Sequence, residues 1–142
     1  MNLYGPVKSL REIQYEVIDG KTSTNSRNHQ YYMFDKKGQN TEHSLYKSDG
    51  SLFSKHTYKY DDKGTLLEHN IFNSDGSLHI KKTAKYDDRG NQIEWNWYFS
   101  DGIIKTETRS KYDNNGNVIE LKGCDEDGKS CYKIKYKYIL VA

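Results

Sequence analysis

The chain has 142 residues, of which 34% are hydrophobic and 30% charged, with a formal net charge of +2. That length holds one domain or one uninterrupted array, and so small a charge gives no electrostatic footing for nucleic acid or an anionic membrane surface. A mean hydropathy of −1.04 borders on that of disordered chains, but 13 tyrosines and evenly spaced turn residues point to thin, well-solvated β-structure.

In chain order, the first hairpin is irregular: strands over 11–18 and 29–35 flank a loose loop at Thr22–Asn28. From there the sequence repeats every 26 residues. One cue is Phe34/Tyr60/Tyr86/Tyr112, then Asp35/Asp61/Asp87/Asp113, then Gly38/Gly64/Gly90/Gly116. A second is Asp49-Gly50, Asp75-Gly76, Asp101-Gly102 and Asp127-Gly128. Between them recur Glu42, Glu68, Glu94 and Glu120. A fixed period of this kind marks a repeat architecture, whose units bury apolar surface against their neighbours. The units are an irregular first stretch 1–38, regular repeats 39–64, 65–90 and 91–116, and a last unit 117–142. Together they form a single β-hairpin repeat domain.

Period-two alternation between the turns predicts further strands over 39–47, 51–60, 65–73, 77–86, 91–99, 103–112, 117–124 and 129–140. Helix is nowhere indicated. No apolar run approaches the length of a membrane-spanning helix or resembles a signal-peptide core, although a removed leader is compatible with the start. The expected fold is all-β: an antiparallel meander of about ten strands in one open, twisted or curled sheet.

A two-residue loop at each Asp-Gly would pair Tyr46 with Phe53, Tyr98 with Lys105 in a cation–π contact, and Cys124 with Cys131. The same rule sets Glu94 against Arg109, Glu120 against Lys135, and Gly123 against Tyr132. It yields a wetter face with the Glu lane, the lysines 59, 85, 111 and 137, and threonines. The drier face carries Ile71, Ile80, Trp95, Trp97, Phe99, Leu121, Ile134 and the tyrosines 60, 86, 112 and 138.

Three clusters are chemically pointed. His43, His56 and His69 recur every 13 residues on three consecutive strands of one face, close enough for two imidazoles to share Zn²⁺ or Ni²⁺. Drift at a half-buried polar position is the competing explanation. Cys124 and Cys131 face each other and are expected to form a disulfide, which would belong to an oxidising compartment. Trp95, Trp97 and Phe99 form an aromatic stripe, with Tyr86 and Tyr112 on adjacent strands, suited to stacking on a sugar ring, anchoring a protein, or burial in a curled sheet or homodimer. The paired aspartates lack EF-hand spacing, and the Glu lane among lysines reads as a solvated charge ladder. No cofactor is expected.

Tyr58-Lys59-Tyr60-Asp61-Asp62-Lys63-Gly64 resembles the YD (RHS) repeat, as do Lys85-Tyr86-Asp87-Asp88-Arg89-Gly90-Asn91 and Lys111-Tyr112-Asp113-Asn114-Asn115-Gly116-Asn117. The resemblance spans about residues 30–138, with a period longer than is usual for that repeat. It implies a β-hairpin array of a kind tied to encapsulation, adhesion and carbohydrate binding. The whole chain, with its opening Gly5-Pro6-Val7-Lys8-Ser9, also looks like small repeat proteins of Bacteroidetes-type bacteria, which are often envelope lipoproteins. The expectation is therefore a non-enzymatic module of the cell envelope or exterior that binds a protein, a glycan or itself. A toxin-linked or immunity-like intracellular scaffold is the alternative, and a metal-dependent enzyme has the least support.

Overall fold

In a computed structural model, which describes residues 7–139, each regular turn is a three-residue loop. In the loop after Tyr86, the amide of Gly90 bonds the carbonyl of Asp87 (3.0 Å) and that of Asp87 bonds the carbonyl of Asn91 (2.9 Å). This is a type I turn followed by a residue at positive φ, here Gly90 at 85°, which closes the hairpin with a one-residue bulge. The Asp-Gly turns have the same pattern: Gly50 N bonds Lys47 O, and Lys47 N bonds Ser51 O. The two turn series are therefore one loop type, and the Asp-Gly series is not the expected two-residue hairpin. They differ in where the aspartate sits. Asp87 Oδ1 accepts the amides of Arg89 (3.0 Å) and Asn91 (2.8 Å) from the first position of the four-residue turn, whereas Asp49 takes the Ser51 amide and hydroxyl from the third.

These loops separate ten strands: β1 (Ser9–Ile18), β2 (Lys21–Phe34), β3 (Asn40–Tyr46), β4 (Leu52–Tyr60), β5 (Leu66–Phe72), β6 (Leu78–Tyr86), β7 (Gln92–Phe99), β8 (Ile104–Tyr112), β9 (Val118–Asp125) and β10 (Cys131–Lys135). Strand order follows chain order, there is no helix among the described residues, and no strand ladder closes into a barrel. The antiparallel all-β meander matches the expected fold class. Gly5, Pro6 and the last residue expected in the final strand lie outside the described residues. The chain divides into two compact units, one ending at His79 and one beginning at Ile80.

The first unit corrects the reading of the opening hairpin. β2 begins at Lys21, so the stretch expected as a loose loop is strand. The turn is Asp19-Gly20, with φ of 50° and 73°. Two consecutive positive φ values define a type I′ turn, which matches the twist of the flanking strands. The 26-residue phase hid it, because the irregular stretch carries bulges at Gln14/Tyr15 and Tyr15/Val17.

Bulges beside the Asp49-Gly50 and Asp101-Gly102 loops change two expected pairs. Tyr46 pairs with Leu52, and Phe53 becomes an extra residue that is 60% exposed. Tyr98 likewise pairs with Ile104. Lys105 is displaced to the other face, where its Nζ lies 5.1 Å from the Phe99 ring instead of over Tyr98. Away from the loops the expected register holds for Glu94–Arg109, Gly123–Tyr132, Cys124–Cys131 and Glu120–Lys135. The last hairpin spans four loop residues, with Asp125 N bonded to Ser130 O, so it needs no bulge to keep Cys124 opposite Cys131.

The faces are less cleanly wet and dry than their sequence suggests. Ser44 (1% exposed) and Asn96 (5%) are buried on the Glu-lane face, and Ala84 (6%) on the other. Across the second unit runs a row Ala84–Trp95–Thr108–Gly123–Tyr132. Each large ring in it, Trp95 and Tyr132, stands beside small residues, which leaves it room in one layer. Tyr132 lies where a Gly123 Cβ would stand, within 2.5 Å of its ring.

Two outcomes follow for the loops. Gly90→Ala places a side chain at positive φ with open space around it, so it should cost about 1–2 kcal/mol on denaturant unfolding through backbone strain alone. The carboxyls of Asp87 and Asp113 are held below their ordinary range, first by the Asn91 and Asn117 side chains and then by backbone amides, and that of Asp61 by the Thr65 amide. A depressed carboxylate stabilises the fold above its unfolded pKa and loses that contribution as pH falls through the folded value. The thermal midpoint should accordingly be flat above about pH 5 and fall below about pH 4. Asp87→Ala should flatten part of that fall.

Candidate functional site

Strand β7 gives the second unit its most distinctive surface. Trp95, Trp97 and Phe99 alternate with Glu94, Asn96 and Tyr98, so the three rings share one face. Each is half-buried. Trp95 rests opposite Ala84 and Thr108, and Trp97 opposite Lys82 and Thr106. Lys82 Nζ sits 4.1 Å above the Trp97 ring, a cation–π contact that also lays its aliphatic stem along the indole. With Lys105 over Phe99, two of the three rings carry an ammonium group. Residues of the same alternation on neighbouring strands, Ile119, Tyr132 and Ile134, are exposed.

Tyr112 and Tyr86 lie at strand ends beside this stripe. The Tyr112 hydroxyl donates to the Gln92 carbonyl (2.8 Å), and Tyr60 and Tyr138 make the equivalent bonds to Asn40 and Val118. These tyrosines tie strand ends together. Tyr86 pairs with Gln92 at the end of β6, beyond the bulge. Tyr112 also lines an open groove of about 420 Å³ with Asp87, Arg89, Ile93, Ser110, Lys111, Asp113, Asn114 and Ile119. Arg89 Nη1 bridges the groove's rim to the Asn114 carbonyl (3.2 Å).

On the opposite face the Glu lane is a charge ladder, as expected. Lys59–Glu68 and Lys85–Glu94 meet at 2.9 Å, and Glu94 also faces Arg109 at 3.9 Å. Hydrogen bonds from Lys85 to Glu94 and from Lys133 to Glu120 hold both carboxyls below their ordinary range. Two positions along each strand, Ser44 (3.1 Å), Asn70 (2.9 Å) and Asn96 (2.8 Å) donate to Glu42, Glu68 and Glu94. The buried Oδ1 atoms of Asn70 and Asn96 have no hydrogen-bond partner among the described residues. The sequence pattern revealed the glutamates but not their amide partners, which look like ordinary strand polar residues. The lane's carboxylates are ion-paired and only 12–21% exposed, so the ladder is less solvated than the sequence suggests.

In the first unit His43 faces His56, while His56 faces Ile71 and His69 faces Tyr58. His56 and His69 are thus diagonal neighbours, and Nδ1 of His56 lies 2.9 Å from Nε2 of His69. His43 is turned away into a contact of Nε2 with Gln30 Oε1 (2.8 Å) and a stack on Tyr32 at 4.4 Å. Burial holds its pKa below the ordinary histidine value. No three His, Cys, Asp or Glu side chains converge on one point among the described residues. The row expected to present three ligands brings two together.

Cys124 and Cys131 form the expected cross-strand disulfide, with Cα atoms 4.1 Å apart. Among the described residues, no helix is long and apolar enough to cross a membrane.

The chain belongs to a family of uncharacterised proteins. That family's model matches residues 7–141. No curated protein matches the chain. Among solved structures it is similar to the Photorhabdus luminescens Tc holotoxin pore, at 14% identity and a TM-score of 0.32 over 78% of this chain and 9% of that one. It is similar to the TcdB2–TccC3 structure at 16% and 0.37 over 88% and 8%, and to TarM at 15% and 0.34 over 90% and 21%. The chain spans less than a quarter of the length of each, and likenesses this loose carry no functional argument.

Closing the short β9–β10 loop should contribute about 2 kcal/mol through the unfolded chain's lost entropy. Reduction with a thiol, followed by denaturant unfolding, should show a loss of that order confined to the second unit. Intact mass before and after alkylation gives the bond's occupancy in the purified protein.

Proposed function

We propose that the chain is a non-enzymatic binding module that works outside the reducing cytosol and presents the Trp95–Trp97–Phe99 stripe to a protein or glycan. The observation that carries this reading is the one-sided placement of aromatic and exposed apolar residues on the second unit. Three half-buried rings in a row along one strand suit an extended macromolecular ligand better than a small metabolite, whose sites are concave. Lys82 and Lys105 add fixed charges that favour an anionic or carbonyl-rich contact. The disulfide favours an oxidising compartment over the intracellular scaffold. The YD-type turn pattern supports a presentation role, and the charge ladder supports an ion-paired frame without a nucleophile–base pair.

Trp97→Ala separates surface from core. A half-buried surface ring should cost about 1 kcal/mol or less, with circular dichroism unchanged and binding lost on protein and glycan arrays. A loss of about 3 kcal/mol or more would make Trp97 a core residue and overturn the assignment. Light scattering across a dilution series, with tryptophan emission recorded on the same samples, gives a second check. A monomer with red emission is expected. Dimers that dissociate as emission shifts red would make a second copy the partner of this face.

A further inference from the structure

We propose that His56 and His69 form a two-histidine site for a divalent late-transition cation, with copper(II) and nickel(II) preferred over zinc. This site lies in the first unit and is independent of the aromatic stripe.

The argument begins with strand pairing. His56 on β4 and His69 on β5 are diagonal neighbours on one face, because His56 pairs with Ile71 and His69 with Tyr58. Their rings lie 5.2 Å apart, centroid to centroid, tilted by 25°. The approach of Nδ1 on His56 to Nε2 on His69, at 2.9 Å, permits one proton between them. A cation takes that place when the donor ring moves its proton from the shared nitrogen to its other nitrogen, so that both rings stay neutral and both lone pairs become ligands.

The distance also selects among metals. Nitrogen ligands at about 2.05 Å stand about 2.9 Å apart when they subtend a right angle at the metal, and about 3.3 Å apart in a tetrahedron. The observed 2.9 Å fits the right-angled arrangement of square-planar copper(II) and nickel(II), and imidazole suits both. Zinc would have to open the pair by a few tenths of an ångström.

Neighbouring rings hold the pair in place. Tyr58 stacks on His69 at 4.7 Å and 18°, which fixes the ring plane as a supporting contact does at established metal sites. His43 serves as a wall. Its ring is 6.0 Å from His56, and Gln30 Oε1 accepts from both Tyr32 (2.8 Å) and His43 Nε2 (2.8 Å). Two protein ligands leave the remaining coordination positions to water or to a group brought by a partner.

Calorimetric titration of the tag-free full chain at neutral pH with Cu²⁺, Ni²⁺ and Zn²⁺ tests the site, alongside His56→Gln, His69→Gln and His43→Gln. One cation per chain is expected, with copper tightest and nickel tighter than zinc; zinc binding tighter than nickel would overturn the stated preference. Binding should vanish in either of the first two variants, survive in the third, and raise the wild-type thermal midpoint. Should a variant fail to fold, paramagnetic broadening of the wild-type histidine resonances by Cu²⁺ decides: His56 and His69 should disappear before the other three histidines. Absence of copper binding, binding that persists without His56 or His69, or broadening centred on another histidine would overturn the proposal.

Discussion

A glycine at positive φ closes each regular loop and so fixes which residue of one strand meets which residue of the next. Because side chains alternate with a period of two, a one-residue slip would move a strand's apolar set to the opposite face. The loop behind Asp87, with Gly90 at 85°, returns the chain one residue out of the plain two-residue register. A bulge at the far strand then restores it before the functional positions are reached. Lys85 therefore meets Glu94, and Ala84 meets Trp95. The aspartate carboxylates that cap these loops act on the same step, since each holds two loop amides that would otherwise have only solvent as a partner.

With the register set, packing in each unit must be solved by one layer, and the result departs from the usual division between an apolar inside and a polar outside. Ser44 is buried between its cross-strand neighbours Tyr31 and Lys55, and Asn96 between Thr83 and Glu107. They persist because each donates to the glutamate two residues back. Exposed ion pairs contribute little singly, but here the carboxylates also anchor buried amides, so the ladder defines polar satisfaction as well as charge. On the other face, Ala84 and Gly123 are buried because Trp95 and Tyr132 cover them, each large ring beside a small residue within a single row.

Much of this was legible before any coordinates. The 26-residue period, the Glu lane, Gly123 beneath Tyr132 and the facing cysteines all followed from turn residues and strand alternation. What escaped was local. Asp19-Gly20 was overlooked because the bulges of the first hairpin break the repeat's phase, and the stretch after it looked like a loop for lack of a recurring cue. Phe53 and Lys105 were given the wrong partners because Asp-Gly also serves a three-residue loop, and an extra strand residue leaves no mark in composition. Tyr112 reads as part of an aromatic platform, and nothing in a tyrosine's position announces that its hydroxyl is also bonded to a strand-end carbonyl. Asn70 and Asn96 were missed for the opposite reason: their significance lies wholly in what closes over them.

The repeat explains why two different chemistries occupy one frame. Position His69 in the first unit corresponds to Trp95 in the second, and the residue opposite changes from Tyr58 to Ala84. Tyr58 stacks flat on an imidazole, while the larger indole needs a small partner, so each pair fills comparable space. His56 and Lys82 are likewise equivalent. One shares a proton with a neighbouring histidine, and the other lays a charge over Trp97. The backbone, the loops and the Glu ladder are common to both units and tolerate these exchanges because strand pairing is set by the loops and not by the faces. Such a frame can change its surface chemistry repeat by repeat without refolding, which is the property a presentation scaffold needs and an active site, bound to one constellation, does not.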